Sequence, residues 1–169
     1  MPNRIIKSKA RSSTVQLSDC LSSLFVLELL APSPELYLIS PWISDMPLIA
    51  NRFGQYRGAV STLGSGDFGL AQVLTLLADR GVRVRIIYKA HQPQTELFVR
   101  RLPTVIERRS TETLHEKGLI SNQFYLRGSM NFTFSGTNLN DETVELTTEQ
   151  SEVALALLEA RMQWEALLP

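Results

Sequence analysis

Residues 114–131 read LHEKGLISNQFYLRGSMN and put an imidazole, an ammonium, a hydroxyl and a carboxamide into one short span: His115, Lys117, Ser129 and Asn131. Neutral imidazole can attack phosphorus. Its ordinary pKa near neutrality lets one ring nitrogen react while a carboxylate or carbonyl holds the other. An ammonium and a carboxamide can bind non-bridging oxygens as negative charge grows on them. These groups therefore suit displacement at a tetrahedral phosphate, and Glu142, in NDETVEL, is a candidate to orient the imidazole. Taken alone, His-x-Lys is a common chance pattern and equally describes a solvated charge cluster at a strand edge.

The elements that must position these groups follow from periodicity. HEKGLIS and QFYLR are two β-rich runs meeting at Ser121-Asn122, which predicts a hairpin. Side chains two apart in a strand leave one face about 7 Å apart, so His115 and Lys117 are expected to point together, with Ser129 and Asn131 repeating the spacing. Upstream, Leu17, Leu21, Leu24, Phe25 and Glu28 predict a helix over 14–30, and ELYLIS (35–40), bracketed by prolines, predicts a strand. GAVSTL (58–63) is a second candidate strand. Leu70, Val73, Leu74, Leu77 and Ala78 form a helical stripe ending at Gly81, and VRVRIIY (82–88) alternates as a strand does. A short helix over 94–102, a strand in TVIERR, a strand at ETVELT (142–147) and a C-terminal helix complete the order. Thr147 and Gln150 have capping-box spacing before that helix, whose stripe runs from Val153 to Leu167. Strands alternating with helices predict an α/β sheet covered on both faces.

At 169 residues and 44% hydrophobic composition, the chain can bury one sizeable core, and a single domain over 1–169 is expected. Cys20, the one cysteine, excludes an internal disulfide and reads as a buried, inert thiol in a reducing compartment. No run approaches the roughly 20 apolar residues of a membrane span, and the basic start (Arg4, Lys7, Lys9, Arg11) does not precede a convincing signal peptide. A cytoplasmic protein without stable membrane insertion is the expectation. Formal net charge is zero but uneven: residues 1–110 carry 14 Lys/Arg against 8 Asp/Glu, and residues 111–169 carry 3 against 9. This allows a basic face, or a surface whose signs mix on folding.

The order H-E-K (115–117), G-S-M-N (128–131) and N-D-E (140–142), spread over 28 residues, resembles the signature of the phospholipase D superfamily: H-x-K, a following Asp, G-S-x-N and N-x-E. ISPWISD (39–45) is similar to the N-terminal region of its small members. Asn122 stands where the family has Asp, and the gap to G-S-x-N is one residue shorter. The resemblance implies a phospholipase D-like α/β/α fold, a mixed sheet sandwiched by helices. It also implies a metal-independent phosphodiesterase with no cofactor, in which two H-x-K sets meet at a twofold axis. One histidine then becomes phosphohistidine while the other protonates the leaving oxygen. This chain holds one set, so a homodimer is implied, as in the family's small bacterial endonucleases. In it, two copies of His115, Lys117, Asn131 and Glu142, with Gly128 and Ser129 binding substrate, build one shared site and no metal site.

Nucleic acid is the expected substrate, in DNA restriction or phage defence and with defence-system partner proteins, by resemblance to phospholipase D-like components of such systems. Arginines in RVRIIYK, at 100–101 and at 108–109 are candidates for holding a phosphate backbone, or are solvated edges. Two other functions stay open: a lipid phosphodiesterase, and an inactive scaffold of a defence complex, which Asn122 and the shortened spacing would suit. GSGDFG (64–69) matches G-x-G-x-x-G, but the strand after it ends in Tyr88-Lys89-Ala90 rather than an acidic residue, so a loop entering a helix is expected there. His91 has Pro93 where a lysine would stand and reads as a loop histidine. Trp42 and Trp164 read as core or interface residues rather than base-stacking platforms.

Overall fold

The computed structural model describes residues 3–8, 14–54, 56 and 65–167. The elements in chain order are β1 (Arg4–Ser8), α1 (Thr14–Leu30), β2 (Glu35–Ser40), β3 (Pro47–Ile49), β4 (Phe68–Gly69), α2 (Leu70–Asp79) and β5 (Arg83–Lys89). They continue with α3 (Pro93–Arg101), β6 (Glu107–Thr111), β7 (Gly118–Ser121), β8 (Tyr125–Gly128), α4 (Phe134–Asn138), β9 (Glu142–Thr147) and α5 (Gln150–Ala166). Seven strands form one mixed sheet in the order β1-β9-β8-β7-β2-β5-β6, and β3 pairs with β4 apart from it. β5 runs parallel to β2 and β6, while β1, β9, β8, β7 and β2 are joined by antiparallel pairings.

Helices cover both faces, as the periodicity predicts. β2 is central and buried along its whole length, so its alternate side chains feed two separate cores. Leu36 and Leu38 join Leu17, Leu21, Phe25, Val73 and Leu77 on the face under α1 and α2. Tyr37 and Ile39 join Val153, Ala156, Leu157 and Trp164 under α5. Full burial of each such aliphatic side chain contributes about 1.5–3 kcal/mol, which makes this strand the element most firmly set by its own sequence.

The helices at 14–30 and from Leu70 lie where they are predicted, and Gly81 follows the second at φ +88°. Other expectations are corrected. RIIKS forms an unpredicted edge strand on β9, with Ile6 buried and Ile5 62% exposed. Five residues with such weak alternation give little local signal. β6 begins at Glu107 rather than in the Thr104–Val105 turn, because pairing with β5 starts at Arg85↔Glu107. The capping box does not form: Thr147 is still paired to Tyr125 in the sheet, Glu149 is the N-cap of α5, and the Thr147 hydroxyl accepts from Glu149 N at 3.2 Å. The candidate strand at 58–63 lies outside the described residues. Cys20 is partly buried against the first core, and burial pushes its thiol pKa up, with nearby Arg4 opposing.

Candidate active site

The register fixes where the chemical groups gather. Ile39 near the end of β2 lies opposite Gly118 at the start of β7, Gly118 opposite Arg127, and Gly128 at the end of β8 opposite Val144 near the start of β9. Lys117, Ser129 and Glu142 are thus drawn to one edge of the sheet, beyond the carboxyl end of β2 and β5. Ligands of open α/β sheets bind in that position.

His115 and Lys117 do not lie in a strand. β7 begins only at Gly118, where β2 can first pair with it, so the strand-face argument for the two side chains does not hold. A local turn relates them instead: Lys117 Nζ donates to the His115 carbonyl at 2.8 Å, and the imidazole is exposed. An ammonium has three donors, so this contact leaves two for an anion. Gly128 N donates to Lys117 O at 3.4 Å, tying the lysine's backbone to the G-S-M-N segment.

That segment is held tightly. A Cβ on Gly128 would lie 2.1 Å from Thr143 O, and one on Gly136 would lie 2.2 Å from Asn131 O, so both positions require glycine for close backbone approach. Ser129 N donates to Thr143 O at 3.0 Å, its hydroxyl donates to the Glu142 carboxylate, and Thr143 N donates back to Ser129 Oγ at 3.0 Å. Glu142 is buried and also accepts from Asn140 Nδ2 at 3.4 Å. The Glu142 carboxylate thus holds Ser129 and Asn140.

Asn131 is fixed by a residue that the sequence reading passed over. Ser40 Oγ is 2.8 Å from Trp42 O and 3.3 Å from Asn131 Oδ1, and accepts from Phe132 N at 3.3 Å. The available signal was a serine ending the apolar run LYLI, where a buried hydroxyl needs partners. Trp42, expected in a core or an interface, is 44% exposed and so not in the core, its Nε1 donating to Gln92 Oε1 at 2.7 Å. Trp164 is buried as expected.

Three of the candidate phosphate-binding arginines are used internally. Arg85 donates to Tyr37 Oη at 2.7 Å and Glu107 at 3.3 Å and stacks 5.0 Å from the Trp164 ring. Arg108 donates to the carbonyls of Val99 and Leu102, and Arg109 donates to Trp164 O while lying 4.5 Å from its ring. Beside the site, Arg127 forms a two-pronged pair with Glu145 at 2.9 and 2.8 Å, and that hydrogen bonding lowers the Glu145 pKa. His91, at φ +61°, is paired with Glu112 at 3.0 Å. Where a loop was expected, the described part of the glycine-rich stretch ends in β4 (Phe68–Gly69), which leads directly into α2, and the helix start is served by Asp45, which accepts from Ala71 N at 3.1 Å. An internal carboxylate thus occupies the place a bound phosphate would take.

No helix among the described residues is long and apolar enough to cross a membrane. Among the same residues, no three His, Cys, Asp or Glu side chains are grouped to hold a metal ion.

Comparison with known proteins agrees with this architecture. The model of the family described as "Cardiolipin synthase, PLD-like domain" matches residues 56–164. NucT from Helicobacter pylori superposes with a TM-score of 0.65 at 14% identity, covering 99% of this chain and 98% of that one. Nuc from Salmonella typhimurium, a phospholipase D family member, gives 0.63 at 14% identity over 99% and 96%. TrmBL2, an archaeal chromatin protein, gives 0.56 at 16% identity, with 99% of this chain on 55% of that one. At these identities the likeness is one of fold. No curated protein matches the chain by sequence.

Proposed function

The chain belongs to the phospholipase D superfamily, whose members act on phosphodiesters, and from that premise we propose that it is a metal-independent nuclease working through a phosphohistidine in a site shared by two copies. The observation that carries the reading is the convergence of Lys117, Gly128, Ser129, Asn131 and Glu142 at one sheet edge, beside an exposed His115.

In the proposed reaction, His115 of one copy attacks phosphorus. The P–N bond forms as the bond to the leaving oxygen breaks, and His115 of the other copy gives that oxygen its proton. The second imidazole, now neutral, takes a proton from water. The resulting hydroxide displaces the first histidine, breaking the P–N bond and releasing the phosphate monoester. Lys117 and Asn131 stabilise the charge on the non-bridging oxygens. Ser129, held between Glu142 and Thr143 N, sets the position of the loop that binds them. The match in fold to NucT and Nuc, each over nearly the whole of its chain, supports nucleic acid over lipid. A setting in DNA restriction or phage defence is proposed from the sequence resemblance.

Single-turnover assays in chelator, with labelled single- and double-stranded DNA, RNA and phospholipid, test the proposal. His115→Ala is expected to slow cleavage on the order of 10³-fold or more. Cleavage that survives this substitution removes His115 from the mechanism. A strict monomer by light scattering at working concentration removes the shared site.

A further inference from the structure

We propose that the cleft beside the phosphodiester site is a pocket for one unpaired nucleobase, with Trp42 as its stacking wall, so that the substrate is single-stranded or locally opened nucleic acid. The inference rests on the phosphodiesterase reading and names its substrate class. The cleft has a volume of about 330 Å³ and is lined by Trp42, Gln94, Thr95, Asn131, Thr133 and Ser135, among others. Its size falls at the low end of small-ligand sites, and Asn131 belongs both to it and to the phosphate-binding set.

The chemistry of the lining selects the occupant. Its side-chain polar groups are amides and hydroxyls, with no charged residue among them. A second phosphate would call for cations, and an acyl chain would call for a mostly apolar wall. A flat, neutral group rich in donors and acceptors fits amides, hydroxyls and an indole face, and a base combines these properties. The wall is built in place. Trp42 presents an exposed ring while Nε1 is tied to Gln92. Its own carbonyl lies 2.8 Å from Ser40 Oγ, and the next residue, Ile43, donates its N–H to Thr95 Oγ1 at 3.0 Å. A stacking ring fixed before binding loses little freedom on capture. In a duplex the bases are stacked on each other and not available to this ring, which is why the pocket selects unpaired strands.

The test compares a short thymidine oligomer with an abasic, tetrahydrofuran-backbone oligomer of equal length in chelator. Wild type is expected to have a KM lower on the order of 10-fold or more for the base-containing strand. Trp42→Ala should abolish that preference, bringing the KM values of the two strands together, and Trp42→Phe should restore part of it. Because Trp164 is buried, quenching of indole fluorescence by the thymidine oligomer and not by the abasic one reads the same contact without turnover. If wild type cleaves neither strand, the phosphodiesterase reading fails, and the quenching still decides the pocket. A preference or quenching unchanged in Trp42→Ala overturns the pocket. So does conversion of the protein to a monomer by Trp42→Ala, which would make the ring part of an interface between copies.

Discussion

The two ends of the β7–β8 hairpin are both polar, and they are built in opposite ways. At the turn end, most polar side chains are matched inside the protein. Glu28, fully buried, accepts from Ser33 N and Ser33 Oγ at 3.0 Å each and from Gln123 Nε2 at 3.1 Å, and the same amide reaches Ala31 O at 2.6 Å. At the open end, roughly 15 Å of strand away, Lys117 is tied by one contact and His115 stands exposed, while Glu142, Thr143 and two glycine approaches hold the backbone around them. A polar cluster whose donors and acceptors are matched stabilises the fold. One whose backbone is fixed but whose side chains are left open is arranged for a ligand. Asn122, the departure from the family signature, lies at the turn end, and its buried Oδ1 is the exception to that matching.

Disturbing the open end through its backbone should have the largest effect on both stability and chemistry. Gly128→Ala places a methyl group 2.1 Å from Thr143 O and 2.8 Å from Val144 Cα, both backbone atoms of β9, so β8 and β9 must part. A loss of about 3 kcal/mol, the upper part of the usual overpacking range, is expected in urea unfolding. Under conditions where the variant is folded, cleavage should fall on the order of 10²-fold, because Ser129 and Lys117 are shifted with the strand end. Folding and activity both close to wild type would show that the close approach does not set the site.

How much of this was legible follows the same division between local and paired structure. α1, α2, β2 and β5 were readable because each carries enough apolar residues at its own period to declare a face. β3 and β4 were not: three and two residues long, they exist through the pairs Pro47↔Gly69 and Ile49↔Phe68, which no local pattern announces. The residue types of the site were visible in H-x-K and G-S-x-N, but their geometry was not. Whether residues 115–117 extend β7 depends on where β2 ends, more than 70 positions earlier. Trp42 was ambiguous for a related reason: large and apolar, it reads as core or interface, and only its place just past the end of β2, with its ring edge tied to Gln92, takes it out of the core. The arginines of β5 and β6 look like a phosphate-binding face in sequence, and only the packing of Trp164 between Arg85 and Arg109 shows their internal use.

At the turn end, stability should change without chemistry. Glu28→Gln keeps the shape but turns one acceptor into a donor facing Ser33 or Gln123, so one buried pair of hydrogen-bonding groups becomes mismatched. Unfolding should report a loss of about 1–3 kcal/mol. Single-turnover cleavage by the folded variant should stay within about twofold of wild type, as expected for distant sites without shared partners. A large fall in rate with the fold intact would mean that the hairpin transmits strain from one end to the other.

The smallest effect is expected at Asn122 itself. Its Oδ1 is buried with no hydrogen-bond partner in the described structure, so Asn122→Asp puts a carboxylate oxygen where a donor is already missing. Burial without a donor raises the folded-state carboxyl pKa above its unfolded value. The variant should therefore match wild type at acid pH, where the group is neutral in both states, and lose about 1 kcal/mol as pH rises through the ordinary carboxylate range and the unfolded chain ionises first. The cleavage rate at neutral pH should be unchanged to within about twofold, since the turn lies at the far end of the hairpin. A tenfold gain in rate would instead place the turn residue in the catalytic machinery, and the two ends of the hairpin could no longer be separated into a structural and a chemical one.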